Sequence, residues 1–454
     1  MRKITIILLA VLLLAGCGAQ QTAPTTTETT VAPTTLPPMV DIGGTEILAA
    51  TEALDLTALE YEMGALLRGA SELTQVTAIE LGCTQLTAQE IATLQEAFPA
   101  AQISYTLSLF SQELTVETTE LDLSDRTPAD ADEIARVAAL LPKLEHIEFV
   151  NDDGVCVFTL ETIGQLDKIR AAAPQARFGV SFDLFGQTVT DHDERIEYYL
   201  VPIGNDGVAQ VRAVLPYLSS CTYLLLEGCE IDNEVMAQLR ADFAQQTKVV
   251  WRVWTAGPFY GNKEFTERCG FLTDTELIRT VAVSDSTSHV FKYCNEVKYV
   301  DFGHNDYISD FSFFTYMPDL EVAIIAITQV TDITPLASCP KLEYLEVFST
   351  AVADLSPLAN CKELKHLNIS NMKNLTDLSP LFGLDKLERL RIVMCDGISK
   401  EQLEEVAEKL PNCDVMTKGW DPTEDGWRRD ANKNYVPRYA LLREQMQYGD
   451  LPSK

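Results

Sequence analysis

The sequence predicts an α/β solenoid with a parallel β-sheet on its concave side, preceded by a less regular strand-and-helix half. Three observations carry this. An apolar hexad recurs every 22 or 23 residues between Val297 and Cys413. A second motif, Asp-Xaa-Ser/Thr-Pro-Leu, recurs in step with it. A longer composite of strand, helix and hairpin signals, about 75 residues long, recurs more loosely upstream.

The N-terminus carries a targeting signal. Arg2 and Lys3 start it, and Ile4 to Gly16 is apolar but for Thr5. That stretch is too short for a bilayer core of ~30 Å and fits a signal-peptide core. It ends Leu14-Ala15-Gly16-Cys17, which resembles the lipobox of bacterial lipoproteins. The resemblance implies a signal peptide over 1–16, cut before Cys17, and a diacylglycerol on the Cys17 thiol. The protein would then sit lipid-anchored on the extracellular face of the bacterial cell membrane. An ordinary secretory signal with a chance cysteine is the alternative. Thr22 to Pro38 holds eight Thr and four Pro. Such a stretch buries too little apolar surface to offset its ordering entropy. Residues 17–45 are therefore expected to be a disordered tether, a device common in lipoproteins of Gram-positive cells.

The chain has 454 residues, 35 basic and 67 acidic, with net charge −32. This excludes a phosphate-backbone binder, which needs a basic surface, and electrostatic docking on anionic lipid. Membrane contact through the Cys17 lipid remains, and no nucleic-acid partner is expected. Ten cysteines besides Cys17 are scattered without a CxxC pair. Export would allow disulfides, but repeat-equivalent positions suit buried thiols better.

Residues 46–260 read as a divergent strand–helix α/β solenoid with hairpin excursions, or as a separate α/β domain. Val76-Thr-Ala-Ile79-Glu-Leu81 and Tyr223-Leu224-Leu-Leu226 lead into helical segments Thr87–Phe98 and Asn233–Phe243. Pro99 through Thr115 is echoed by Pro174 through Thr190. Residues 261–296 connect the halves and carry no clean period.

The regular units begin Val297-Lys-Tyr-Val300-Asp-Phe302, Leu320-Glu-Val-Ala323-Ile-Ile325, Leu342-Glu-Tyr-Leu345-Glu-Val347, Leu364-Lys-His-Leu367-Asn-Ile369 and Leu387-Glu-Arg-Leu390-Arg-Ile392. Positions 4 and 6 alternate inward on a short strand, and position 1 closes the turn before it. The second half of each unit, as in Asp332-Ile-Thr-Pro-Leu336, Asp354-Leu-Ser-Pro-Leu358 and Asp377-Leu-Ser-Pro-Leu381, reads as a 3₁₀ turn on the convex side. Its Ser/Thr hydroxyl should cap the turn and its Pro should start it. The array resembles the internalin-like leucine-rich repeats of bacterial surface proteins, across about 120 residues. It departs from them at position 9, where Asn305 is followed by Thr328, Thr350 and Cys395.

Residues 297–413 close with a cap helix over Ile398–Leu410, with Ser399 as N-cap and Leu403, Val406 and Leu410 on one face. The tail, 414–454, is rich in Trp, Tyr and Arg: Trp420, Trp427, Arg428, Arg429, Tyr435, Arg438 and Tyr439. It reads as a cover for the open end of the solenoid, or as a docking segment with aromatic and arginine anchors.

No catalytic motif is present: no GxSxG, GxxxxGK[ST], HExxH or GxGxxG. The five histidines, His146, His192, His289, His304 and His366, lack metal-pair spacing. Asp191-His192-Asp193-Glu194 and Asn151-Asp152-Asp153-Gly154 read as turns. No enzyme activity, metal or cofactor is therefore expected.

In such a solenoid the residues between the inward positions face the concave side. Position 3 gives Tyr299, Val322, Tyr344, His366 and Arg389; position 5 gives Asp301, Ile324, Glu346, Asn368 and Arg391; position 7 adds Phe348. Neighbouring strands lie ~4.8 Å apart, so Val322, Ile324, Tyr344 and Phe348 should form one solvent-facing apolar patch, with Arg389 and Arg391 as its basic end. Such a patch marks an interface, the alternative being that the tail or another domain covers it. The reading is a surface lipoprotein binding a protein or peptide through Tyr299, Asp301, Val322, Ile324, Tyr344, Glu346, Phe348, His366, Arg389 and Arg391. The alternatives are a lipid-anchored envelope enzyme with its site in the N-terminal half, and a glycan- or cell-wall-binding scaffold.

Overall fold

The computed structural model describes residues 37–259 and 262–449. Cys17, the signal segment and the spacer up to Leu36 lie outside the described residues. The chain divides into two compact units, one ending at Thr115 and the other beginning at Val116.

In the first unit, Met39–Asp41 pairs antiparallel with Glu46–Leu48. The spacer expected to reach residue 45 is therefore already a strand at Met39, because Val40 finds a buried place against the bare backbone of Gly69. Strands Ala53–Asp55, Ala78–Cys83 and Gln102–Leu109 follow in parallel, and the last turns back into Gln112–Thr115. Helix Ala88–Ala97 starts at Thr87, whose side chain accepts from the Glu90 N–H while Glu90 reaches back to the Thr87 N–H. This reciprocal cap satisfies two otherwise orphaned donors.

The second unit carries three parallel sheets. They comprise strands 120–122, 146–148 and 177–179; strands 195–199, 223–227 and 248–250; and a seven-stranded sheet from Leu277–Arg279 to Asp414–Met416. Helices 131–138, 163–172, 204–214 and 233–242 link the upstream strands. Hairpin 181–190 and the antiparallel pair Arg252–Phe259 and Asn262–Leu272 leave the ladder. Strand His146–Glu148 has the repeat hexad, with Leu144, Ile147 and Phe149 all buried, where no neighbour at a 22- or 23-residue spacing points to it.

The chain has the leucine-rich-repeat solenoid fold. Val300, Ala323, Leu345, Leu367 and Leu390, and Phe302, Ile325, Val347, Ile369 and Ile392, are all buried inward. Register is in step throughout: Tyr299 opposes Val322, then Tyr344, His366 and Arg389. Two residues after the last inward position, His304, Ile327, Ser349, Asn371 and Met394 each adopt a left-handed φ of 54–63°. That conformation costs a non-glycine residue roughly 1–2 kcal/mol. It aims the N–H of the first four at the carbonyl of the next turn, at 2.8–3.0 Å, so each of these four carries a ladder bond.

On the convex side, 3₁₀ turns Thr334–Ser338, Ser356–Asn360 and Ser379–Leu381 stack as expected. The expected hydroxyl cap is absent. The Ser/Thr is already inside each turn, and its backbone N–H donates instead to the Asp two residues earlier, at 2.7–2.8 Å. At position 9, Asn305 spans to the carbonyls of Val281 and Val283 one turn earlier, whereas Thr328 and Thr350 bond only three residues back. Cys395 again reaches across, to Ile369. Helix Lys400–Lys409 ends the array, capped by Ser399 and Gln402, with Val406 and Leu410 buried.

Candidate binding surface

The predicted surface residues do come together, but they do not face solvent. Val322, Ile324, Tyr344, Glu346, Phe348, His366 and Arg391 are buried, and Tyr299, Asp301 and Arg389 are half-buried. The expected open patch is thus corrected. The tail lies across it, as Val322, Ile324 and Tyr344 form one cluster with Trp427, Tyr439, Leu442 and Met446. Apolar strand positions left bare would cost roughly 25 cal/mol per Å² of exposed area, and the chain's own aromatic segment removes that cost.

The tail crosses the sheet against repeat order. Arg391 donates to the carbonyls of Asp421 and Asp425, and Asn368 to that of Pro422. Arg389 donates to the carbonyls of Gly426 and Trp427, and its guanidinium carbon lies 5.0 Å from the Trp427 ring centre. Helix Pro437–Gln445 then places Arg438 over Tyr344, at 5.0 Å. At the far end, Tyr448 donates to Asp301, and Arg279 donates to the carbonyls of Met446 and Gln447, each at 2.9 Å. Arg279 thereby takes up carbonyls left open where the helix ends.

Glu346 is the polar centre of this surface and is fully buried. Its Oε1 accepts from Tyr344 Oη, from Trp427 Nε1 at 2.7 Å and from Arg428 Nε at 3.2 Å, and its Oε2 accepts from Arg428 Nη2. Burial alone would raise this carboxyl's pKa. The Arg428 charge and the hydrogen bonds outweigh it and hold the group below its ordinary value. For Arg428, burial works against the charge, but Glu346 more than offsets it and the guanidinium is held above its usual range. The pair is ionised and forked, with Glu346 fully enclosed and Arg428 half-buried, and a forked Arg–carboxylate contact is among the strongest of hydrogen-bonded pairs.

His366 lies beside this pair, 5.9 Å from Tyr344 between ring centres. Its Nδ1 is buried without a hydrogen-bond partner. Burial first, then Arg438, Arg389 and Lys365, push its pKa down to about 3, so it is neutral. Asp301 goes the other way, raised mainly by burial.

Sequence reasoning identified the rows of this surface and the aromatic and arginine residues of the tail separately. It left cover by the tail or another domain as the alternative to an open face, but it did not pair Trp427 and Arg428 with Glu346. The available signal was complementarity: an isolated Glu346 among apolar positions, opposite an arginine-rich tail in an acidic protein.

The two acidic stretches are turns. Asn151 Oδ1 accepts from the N–H of Asp153 and Val155, and Asp193 from Thr190, while buried Asp191 accepts from the Val180 N–H. Among the described residues no group of three His, Cys, Asp or Glu side chains could hold a metal ion. Among them, too, no helix is long and apolar enough to cross a membrane. All ten described cysteines are free thiols.

The sequence matches no protein-family model and no curated protein. Among solved structures, the chain is similar to internalin C2 of Listeria monocytogenes, with 23% identity, 30% of this chain and 69% of that one covered, and a TM-score of 0.22. It is similar to another internalin of that organism, inlF, at 14% identity over 79% of this chain and 94% of that one, TM-score 0.29. It is also similar to the leucine-rich-repeat protein LIC12759 of Leptospira interrogans, at 15% identity over 80% and 94%, TM-score 0.30. TM-scores this low carry no argument, and the fold assignment rests on the ladder and register above.

Proposed function

We propose that this chain is a lipid-anchored cell-surface protein, held through Cys17, that binds a protein or peptide partner on the concave face of its repeats. One observation carries the reading: that face already holds a polypeptide segment, seated by an aromatic and an arginine anchor on a buried carboxylate. Buried aromatic and arginine anchors are what concentrate binding energy in protein interfaces. The tail is then the resident occupant, and a partner gains the face by displacing it.

The test is capture from cell envelope and from host secretions, using the intact chain and a chain carrying Arg428→Ala to loosen the tail. The reading expects a partner retained by the loosened chain and weakly by the intact one. A partner held equally by both would move the contact to another surface; Tyr199 and Leu200, exposed at 65% and 66%, are the place to look. Metabolic labelling with a fatty acid, lost in Cys17→Ser, tests the anchor separately.

A further inference from the structure

We infer that the partner taken by the concave face is a polypeptide bearing an aromatic residue followed directly by arginine, ahead of a short helix that sets an apolar row on the sheet. This deepens the peptide-binding reading of that face and rests on it.

Three features of the groove select such a ligand. Glu346 is fully enclosed by the segment that lies over it. A segment without a cation would leave a carboxylate buried and uncompensated, which is strongly unfavourable. The groove's own donor, Tyr344, satisfies only part of Oε1, and the fork of Arg428 takes both oxygens. A lysine offers a point charge there and no fork. Beside the carboxylate, the Trp427 ring lies 5.7 Å from Tyr344 and 5.0 Å from Arg389, with its Nε1 on Glu346. This slot takes a flat ring with one edge donor. Farther along, Val322 and Ile324 meet Leu442 and Met446, two residues that a helix presents four apart on one face.

The chemistry argues against other ligand classes. A phosphate backbone would meet Glu346 and Asp301. A glycan would supply hydroxyls but no cation for Glu346. The charge of the whole chain, −32, steers a cationic segment toward it. The covalent tail competes at an effective concentration on the order of millimolar. A partner at micromolar levels must therefore bind about a thousandfold better than the tail peptide, or arrive after the tail has been cut or loosened.

The experiment uses the full chain, folded and then nicked at a protease site inserted between Gly419 and the exposed Trp420, and titrated with a labelled peptide of residues 421–449. The parent peptide should replace the resident tail. Peptides with Trp427→Ala or Arg428→Ala should need at least about tenfold more, and Arg428→Lys should fall between. Lys433→Ala makes the same charge change as Arg428→Ala at a residue that pairs only within the tail, and should compete like the parent. In a nicked chain carrying Glu346→Gln, the preference for arginine should collapse. Equal competition by all peptides overturns the aromatic–arginine inference and leaves the peptide-binding reading standing. Failure of the parent peptide to enter at any concentration overturns both. The same ranking, read on the un-nicked chain as the peptide concentration that raises hydrogen exchange in helix 437–445, is free of any effect of the nick.

Discussion

Trp427 Nε1 donates a 2.7 Å hydrogen bond to Glu346 Oε1 across 81 residues of sequence. Both residues are buried, so the bond closes the tail over the sheet and shields the Glu346 carboxylate, which Arg428 grips from its half-buried side. The strength of that pair therefore depends on the indole being in place.

Replacing the indole removes the largest fully buried side chain of the tail. Trp427→Ala should loosen the tail by about 3–5 kcal/mol, the usual cost of deleting a buried aromatic. Amide hydrogen exchange in helix 437–445 should then approach free rates, while strands 344–346 and 366–368 stay protected. Unchanged protection of the helix would show that it is held by other contacts.

The Glu346–Arg428 pair should couple strongly. Arg428→Ala leaves Glu346 buried without its cation and should cost about 3–5 kcal/mol. Glu346→Gln should be costly too, but the double variant should cost clearly less than the two effects added. Denaturant unfolding of the four proteins measures the coupling. Simple additivity would mean the pair contributes nothing beyond its parts.

The tail should loosen in mild acid through His366. Its pKa is about 3 when covered, against an ordinary 6.5, so the covered state binds fewer protons than the open one. The stabilisation is complete above pH 6.5 and drains as the pH falls from there toward 3, by up to roughly 1.4 kcal/mol per unit. Glu388, 3.9 Å from Nε2, softens this. Asp301 acts in the opposite sense: its raised pKa adds stability at low pH that is lost as the pH rises through the folded value. Hydrogen exchange of the tail between pH 6.5 and 5, in the parent and in His366→Gln, isolates the histidine. A slope that survives the substitution would assign it elsewhere.

Thiol reactivity should follow burial. Cys339 and Cys361 sit in the same interior slot of successive repeats, and burial pushes their thiols up to about 12 and about 11. Cys294 is buried likewise, at about 12. Alkylation of the native chain followed by mass mapping should modify exposed Cys83 first and leave these three untouched until unfolding. Early labelling of Cys339 would mean that the convex turns open.

The five central strands were legible because each repeats one hexad at one spacing. The strands at either end of the same sheet were not. Leu277–Arg279 has Thr275 and Thr280 where the pattern wants apolar residues, and Asp414–Met416 has Asn412 and Thr417. An end strand packs against one neighbour instead of two, so its inward positions tolerate polar residues and the period fades. The cap helix was legible from Ser399 and its apolar face, because capping and amphipathicity are local.

The sequence by itself determined the repeat: which residues point inward, which rows share the concave face, and that the tail is an aromatic and arginine-rich segment in an acidic chain. These follow from periodicity and composition, which act over a few residues or one turn. Only the tertiary structure decided that this face is covered and by what. No local preference links Trp427 and Arg428 to Glu346. They meet because a concave apolar row with one carboxylate in it is costly to leave in water, and the tail alongside supplies a ring, a fork of donors and an apolar helix face at the distances that row requires.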